Sequence, residues 1–264
     1  MKKIVVLILV LSLNGKLLSQ SGNPIQWPAG KRVAISLTFD DARTTQVEGG
    51  TALLDKYNVK ATFYVLPGGV KSRLAGWKKA VASGHEIGNH SFVHPCSGTF
   101  TWARSKALED YTLDKMRQEL VQANDSIQKF LGVRPTAFAY PCGQTYVGRG
   151  KDVKSYVPLI SELFTSGRCY MNEVPNDPAY TDFAQLTGIE MDGKDFEQLL
   201  PIIENARTQG LWIVLAGHEM SISGVQTTRL AMLEKLIQYA QNPANGVWLA
   251  PVGEVASLIQ GKRN

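Results

Sequence analysis

"VAISLTFDD", residues 33–41, alternates the bulky Val33, Ile35, Leu37 and Phe39 with the small Ala34, Ser36 and Thr38, and then ends in two adjacent acids. Two-residue alternation with no charge in either row marks a strand covered on both faces, the situation of strands in parallel sheets. The bulky row is expected to face helices and the small row the interior of a curved sheet. Asp40 continues the small row and should point into the mouth of that interior. Asp41 follows where the strand gives way to a loop, so it is aimed at a different partner. Neighbouring carboxylates repel each other, so something at this strand end must favour their charge.

Similar short runs recur at 61–66, 86–89, 136–140, 166–171, 186–191, 211–217 and 247–250. Stretches with helical spacing separate them, at 46–57, 70–82, 112–131, 153–164, 195–209, 226–241 and 252–260. The clearest is 112–131, where Leu113, Met116, Leu120, Ala123, Ile127 and Leu131 share one face between a Thr112 cap and Gly132. Strand then helix, repeated about eight times, predicts the α/β class and a distorted (β/α) barrel of seven to eight strands. A doubly wound open sheet is the alternative. In either fold, chemistry belongs at the carboxyl ends of the strands.

The chain opens Met1-Lys2-Lys3, and Ile4 to Leu13 is apolar except for Ser12. That is the charged head and apolar body of a signal peptide over residues 1–20, leaving 21–264 as one catalytic domain. An apolar run this short falls well below the ~20 residues that span a bilayer. The expectations are a secreted or periplasmic protein and no stable membrane insertion after cleavage. The net charge of +5 includes Lys2, Lys3 and Lys16, and the remaining basic residues are scattered rather than grouped. Nucleic acid is therefore not an expected partner. Three cysteines, Cys96, Cys142 and Cys169, allow one disulfide and one leftover thiol.

Three further clusters fall near predicted strand ends. In "GHEIGNHSFVHP", residues 84–95, His90 and His94 lie four apart, a spacing that lets two imidazoles converge on one ion. Ser91 stands where a zincin carries its glutamate, which excludes that motif. "VRPTAFAYPCG", 133–143, ends its strand at Tyr140 and Pro141, and "LWIVLAGHE", 211–219, delivers His218 to a strand end. Arg134 alone stands before its strand and would have to reach over.

Together "TFDD", "HSFVHP", "RPTAFAYPCG" and "LAGHE", in this order, resemble the polysaccharide deacetylase family, the NodB-homology domain of carbohydrate esterase family four, across residues 33–260. The resemblance implies a distorted barrel, a divalent metal, Zn2+ first with Co2+ or Ni2+ as alternatives, and hydrolysis of N-acetyl or O-acetyl groups on an acetylated glycan. By position, Asp41, His90 and His94 resemble the metal triad and Asp40 the base acting on a metal-bound water. Arg134 would orient Asp40, the backbone N–H of Tyr140 would meet the developing oxyanion, His218 would act as general acid, and Leu215 would wall the acyl pocket. "GIEMDGKDF", 188–196, departs from the family pattern, and Asp192 is the candidate partner of His218.

Trp77, Trp102 and Tyr146 are candidates for stacking on sugar rings. Cys96 and Cys142 each follow a motif at the same rim, so they are expected to pair, with Cys142–Cys169 as the alternative. Two other functions share these features: an amidase for a small amide or ureide, and a non-catalytic carbohydrate-binding relative. The intact Asp40 and His218 speak against the second.

Overall fold

The structure is a computed structural model and describes residues 25–263; the expected signal segment lies outside them. In chain order the strands are β1 (Val33–Asp40), β2 (Thr62–Val65), β3 (Glu86–Asn89), β4 (Ala137–Ala139), the short pair β5 (Tyr146–Val147) and β6 (Lys154–Ser155), β7 (Ser166–Arg168), β8 (Ile189–Glu190), β9 (Trp212–Gly217), a second short pair β10 (Glu219–Ser221) and β11 (Thr227–Arg229), and β12 (Val247–Leu249). The helices are α1 (Thr51–Lys56), α2 (Pro67–Ser72), α3 (Leu74–Ala82), α4 (Leu113–Leu131), α5 (Val157–Leu163), α6 (Phe196–Gln209), α7 (Leu230–Gln241) and α8 (Val252–Arg263).

Eight strands form one sheet in the order β7-β4-β3-β2-β1-β9-β8, with β12 also on β1, and every pairing in it is parallel. The curl returns on itself through a single bridge between Arg168 and Leu186, just ahead of β8. This is the distorted barrel that the alternation predicts. β1 is its spine: β9 lines one edge from Ala34 to Phe39, while the other edge is shared by β12 at Val33–Ile35 and β2 at Thr38–Asp40.

All eight residues of β1 are buried. Val33, Ile35, Leu37 and Phe39 join a core that includes Leu54, Trp77, Leu199 and Leu233 from the surrounding helices. The small row faces inward, where Ala34 packs with Trp212 and Val214, Trp212 donates its indole N–H to Ser36 Oγ at 3.0 Å, and Thr38 donates to the Leu215 carbonyl at 2.8 Å. Small residues are needed here because the interior is already filled by the indole. α4 starts at Thr112, whose hydroxyl accepts from Lys115 N, and ends at Gly132 in the left-handed region. No helix among the described residues is long and apolar enough to cross a membrane.

Where elements differ from expectation, the loops explain it. The helical stretch at 70–82 divides at Arg73 into α2 and α3, and the 226–241 stretch gives its first residues to β11 before α7 begins. Trp77 is fully buried, edge-on to Phe63 at 5.5 Å, and so cannot meet a sugar. Trp77→Ala is expected to cost about 3–5 kcal/mol of stability in chemical denaturation, with KM for substrate unchanged in the folded fraction. A raised KM with unaltered stability would contradict this placement.

Candidate active site

At the carboxyl end of β1 the chain turns sharply: Asp41 and Ala42 have φ of 75° and 54°, both left-handed. This turn takes Asp41 off the strand's alternation, which would have placed it on the outer row, and leaves its carboxylate beside the histidine loop. Gln46 fixes the corner, donating through one buried amide nitrogen to the carbonyls of Asp40 at 2.7 Å and His218 at 2.8 Å, and so ties β1 to β9.

Asp40 meets Arg168, which is fully buried at the end of β7 and places Nη2 2.5 Å from both carboxylate oxygens. Arg168 also lies over the Tyr64 ring at 5.1 Å. Arg134, expected to orient Asp40, is far from it in function: it is half exposed on the amino side of β4 and pairs with Asp125 and Gln128 of α4 at 2.9 and 3.0 Å. The residue ahead of a parallel strand lies at the opposite end of the barrel from its carboxyl-end loops, so the reach is not made. Arg168 lay within a predicted strand, and a charge at the carboxyl end of such a run was the available signal.

Asp41 points instead to the histidine loop. Its Oδ1 is 3.4 Å from His90 Nε2 and 3.4 Å from His94 Nε2, while Oδ2 accepts from Arg43 Nε and Nη2 at 3.0 and 2.8 Å. Burial would raise the Asp41 pKa, but the imidazoles of His90, His94 and His218 gathered around it outweigh burial and hold the group well below the usual range. His90 Nδ1 is 2.9 Å from the Ala139 carbonyl, to which it donates, leaving Nε2 as a free acceptor. His94 is pushed down to about 4 by burial first and the neighbouring His90 second, so its ring is neutral at pH 7.

The loop carrying the histidines is no helical turn. Ser91 and His94 have φ of 67° and 58°, and side chains supply the bonds that a helix would have made. Asn89 accepts from Ser91 N, Ser91 Oγ from His94 N, and one oxygen of Glu119 on α4 accepts from both Phe92 N and Val93 N at 3.1 Å. Cys96 is joined to Cys142, with Cα atoms 6.0 Å apart, which pins this loop to the turn after β4. Cys169 is the free thiol, and burial raises its pKa.

His218, at the end of β9, forms a 2.7 Å bond through Nδ1 with Asp192 Oδ2. Asp192 Oδ1 accepts from Thr228 at 2.7 Å and from His218 N at 3.2 Å. Burial lowers the His218 pKa, but the Asp192 bond and the charges of Asp40 and Asp41 raise it overall. Gly217 makes room for this arrangement, since a Cβ there would lie 2.1 Å from Thr228 Oγ1 and 2.9 Å from Asp192 Oδ1.

A cavity of about 670 Å3 opens over these groups and is lined by Asp40, Asp41, His90, His94, Tyr140 and His218. Trp102 is at its rim, 54% exposed and 5.7 Å from His94, stacked on Phe100. Tyr146 is outside the cavity lining and is contacted by Gln144. Two expected roles do not fit. The Tyr140 N–H is taken by the Arg168 carbonyl at 2.9 Å and is not free to meet an oxyanion, although Tyr140 and Cys142 both line the cavity. Leu215 is in the outer core, because strand alternation from His218 puts Ala216 rather than Leu215 on the inner side.

The residues present fit a divalent cation. Asp41 Oδ1 is buried without a hydrogen-bond partner, and it converges with two imidazole nitrogens so that all three donor atoms lie within 4.8 Å of one another. One carboxylate and two imidazoles are a donor set that zinc accepts, with positions left over. The pairing of Asp40 separates the two arginines by effect. Arg168→Gln is expected to lower stability by about 3–5 kcal/mol, because it strands a buried carboxylate, whereas Arg134→Gln should change it by less than about 0.5 kcal/mol. Equal losses in chemical denaturation would contradict the geometry.

The polysaccharide deacetylase family model matches residues 28–156. Peptidoglycan-N-acetylglucosamine deacetylase PgdA of Listeria monocytogenes is 35% identical over 134 residues, 50% of this chain and 26% of that protein. A bifunctional xylanase/deacetylase of Pseudobutyrivibrio xylanivorans is 25% identical over 217 residues, 78% of this chain and 34% of that protein. The chain thus spans only a quarter to a third of the length of these curated relatives. Among solved structures, peptidoglycan deacetylase PdaC from Bacillus subtilis has the same fold, with a TM-score of 0.54 at 18% identity over 89% of this chain and 94% of that one. By sequence over residues 28–156 and by fold over most of its length, the chain is similar to polysaccharide deacetylases.

Proposed function

We propose that this protein is an exported, metal-dependent deacetylase that removes N-acetyl groups from a polysaccharide or oligosaccharide. The observation that carries the reading is the convergence, over one cavity, of Asp41, His90 and His94 with an arginine-paired acid, Asp40, on one side and an aspartate-paired histidine, His218, on the other. Asp41, His90 and His94 would hold the ion, zinc before cobalt or nickel. Once bound, such an ion supplies an acidified water and polarises the acyl carbonyl.

The chain's own groups then divide the proton work. Asp40, ionised beside Arg168, takes a proton from the attacking water as the carbonyl carbon becomes tetrahedral. His218, whose pKa is raised by its carboxylate neighbours against the effect of burial, gives a proton to the departing nitrogen. An amine leaves poorly without that proton, so a histidine held at the cavity to donate one favours amide over ester cleavage. The turn at Cys142 lines the cavity, and a backbone donor placed there at the developing oxyanion would be worth about 3–4 kcal/mol. Trp102 and Phe100 offer an aromatic rim for a sugar ring. The relatives' printed activities on peptidoglycan support a cell-wall glycan as substrate, and an N-acetylglucosamine polymer is the first to try.

Acetate release from chitin oligomers, peptidoglycan and acetylated xylan, with and without chelator and restored zinc, tests the reading. It predicts chelator-sensitive release from the N-acetylated substrates, and release from none of them would contradict it. Asp40→Asn should lower turnover by about 10²–10⁴ with bound zinc nearly unchanged, whereas His94→Ala should lower both. The pH profile has a sign: because the His218 pKa lies above its ordinary value, activity should persist through pH 6.5 and fall as pH rises through that raised value. Asp192→Asn removes the bond that raises it and should move this alkaline limb to lower pH; an unmoved limb would exclude His218 as the acid.

A further inference from the structure

Arg43 is not needed by the chemistry above, yet it occupies a decisive position. The left-handed turn at Asp41 and Ala42 brings it back onto the carboxylate two residues earlier, where its fork holds Oδ2 at 2.8 and 3.0 Å. The same guanidinium reaches Gln226 at 3.3 Å and Glu219 at 3.7 Å, so it is itself braced by the segment after His218. Oδ1, on the opposite side of the carboxylate, is the buried oxygen with no partner, directed at His90 and His94. One oxygen is thus fixed by a cation and the other is left for a ligand.

Resting on the metal-site reading above, we infer that Arg43 is a positioning residue that sets the affinity of that site. It presents Oδ1 to the ion and, through Oδ2, draws charge from the same carboxylate. With Asp41 paired to Arg43, the three donors behave as a nearly neutral set instead of carrying a full negative charge. Asp40 is neutralised in the same manner by Arg168, so neither acid offers an uncompensated charge to a dication. The consequence is an ion held less tightly and made more electrophilic than the donor atoms alone would give, since partners of a ligand tune both affinity and reactivity.

Two substitutions separate orientation from charge. Arg43→Gln keeps a donor for Oδ2 and removes the cation, and Arg43→Lys keeps the cation and loses the fork. Zinc affinity is measured by competition with a chromogenic chelator, and turnover on an N-acetylated chitin oligomer at saturating zinc. We expect Arg43→Gln to bind zinc about tenfold more tightly while turnover falls, and Arg43→Lys to remain within about threefold of the parent in affinity. Misfolding cannot produce tighter binding, so the opposite movement of the two readouts is diagnostic. Equal or weaker zinc binding by Arg43→Gln would overturn the inference. An unaltered chain that binds no zinc at all would overturn the metal site itself and this inference with it, a result distinct from equal affinities.

Discussion

Two carboxylates on consecutive residues can both remain ionised in a buried site only if each has its own cation and the two are turned apart. The left-handed conformation at Asp41 does the turning. Asp40 continues the inward row of β1 and is met by Arg168, while Asp41 leaves the strand and faces two imidazoles and Arg43. Without that turn the strand's alternation would carry Asp41 onto the outer, helix-covered row and away from the histidine loop. Every other part of the site is arranged around this corner: Gln46 ties it to the His218 strand, and the disulfide fixes the histidine loop beside it.

The fold places the corner where it does because β1 is the most enclosed strand of the sheet, paired along both edges and covered by helices on its bulky face. Parallel strands align all their carboxyl ends on one rim, so the loops that follow β1, β2, β3, β4, β7 and β9 all reach one cavity. The scaffold is rigid where the chemistry needs it to be. The loops are shaped by side chains such as Asn89, Ser91 and Glu119, whose bonds replace regular backbone structure.

Much of this was legible in the chain. The period of β1, the eightfold alternation and the placement of Asp40, Asp41, His90, His94 and His218 follow from local patterns that any parallel sheet obeys. Asp192 was put forward from the family resemblance despite its divergent motif, and the structure sets it 2.7 Å from His218. What could not be read was pairing over long separations. Arg168 lies 128 residues from Asp40, and motif order pointed to Arg134 although its place before a strand already disagreed with the geometry. Leu215 and the Tyr140 N–H failed for register reasons, because a shift of one residue exchanges inside for outside or a free donor for a bonded one. Arg43 was invisible because its approach depends on two left-handed residues that are not glycine.

The account stands on a single ion held by one oxygen of Asp41 and the two Nε2 atoms of His90 and His94. X-ray diffraction from zinc-soaked crystals, collected on both sides of the zinc absorption edge, examines that directly. One anomalous peak within bonding distance of those three atoms is the predicted result; zinc bound elsewhere, with this trio bare at saturating concentration, would contradict it.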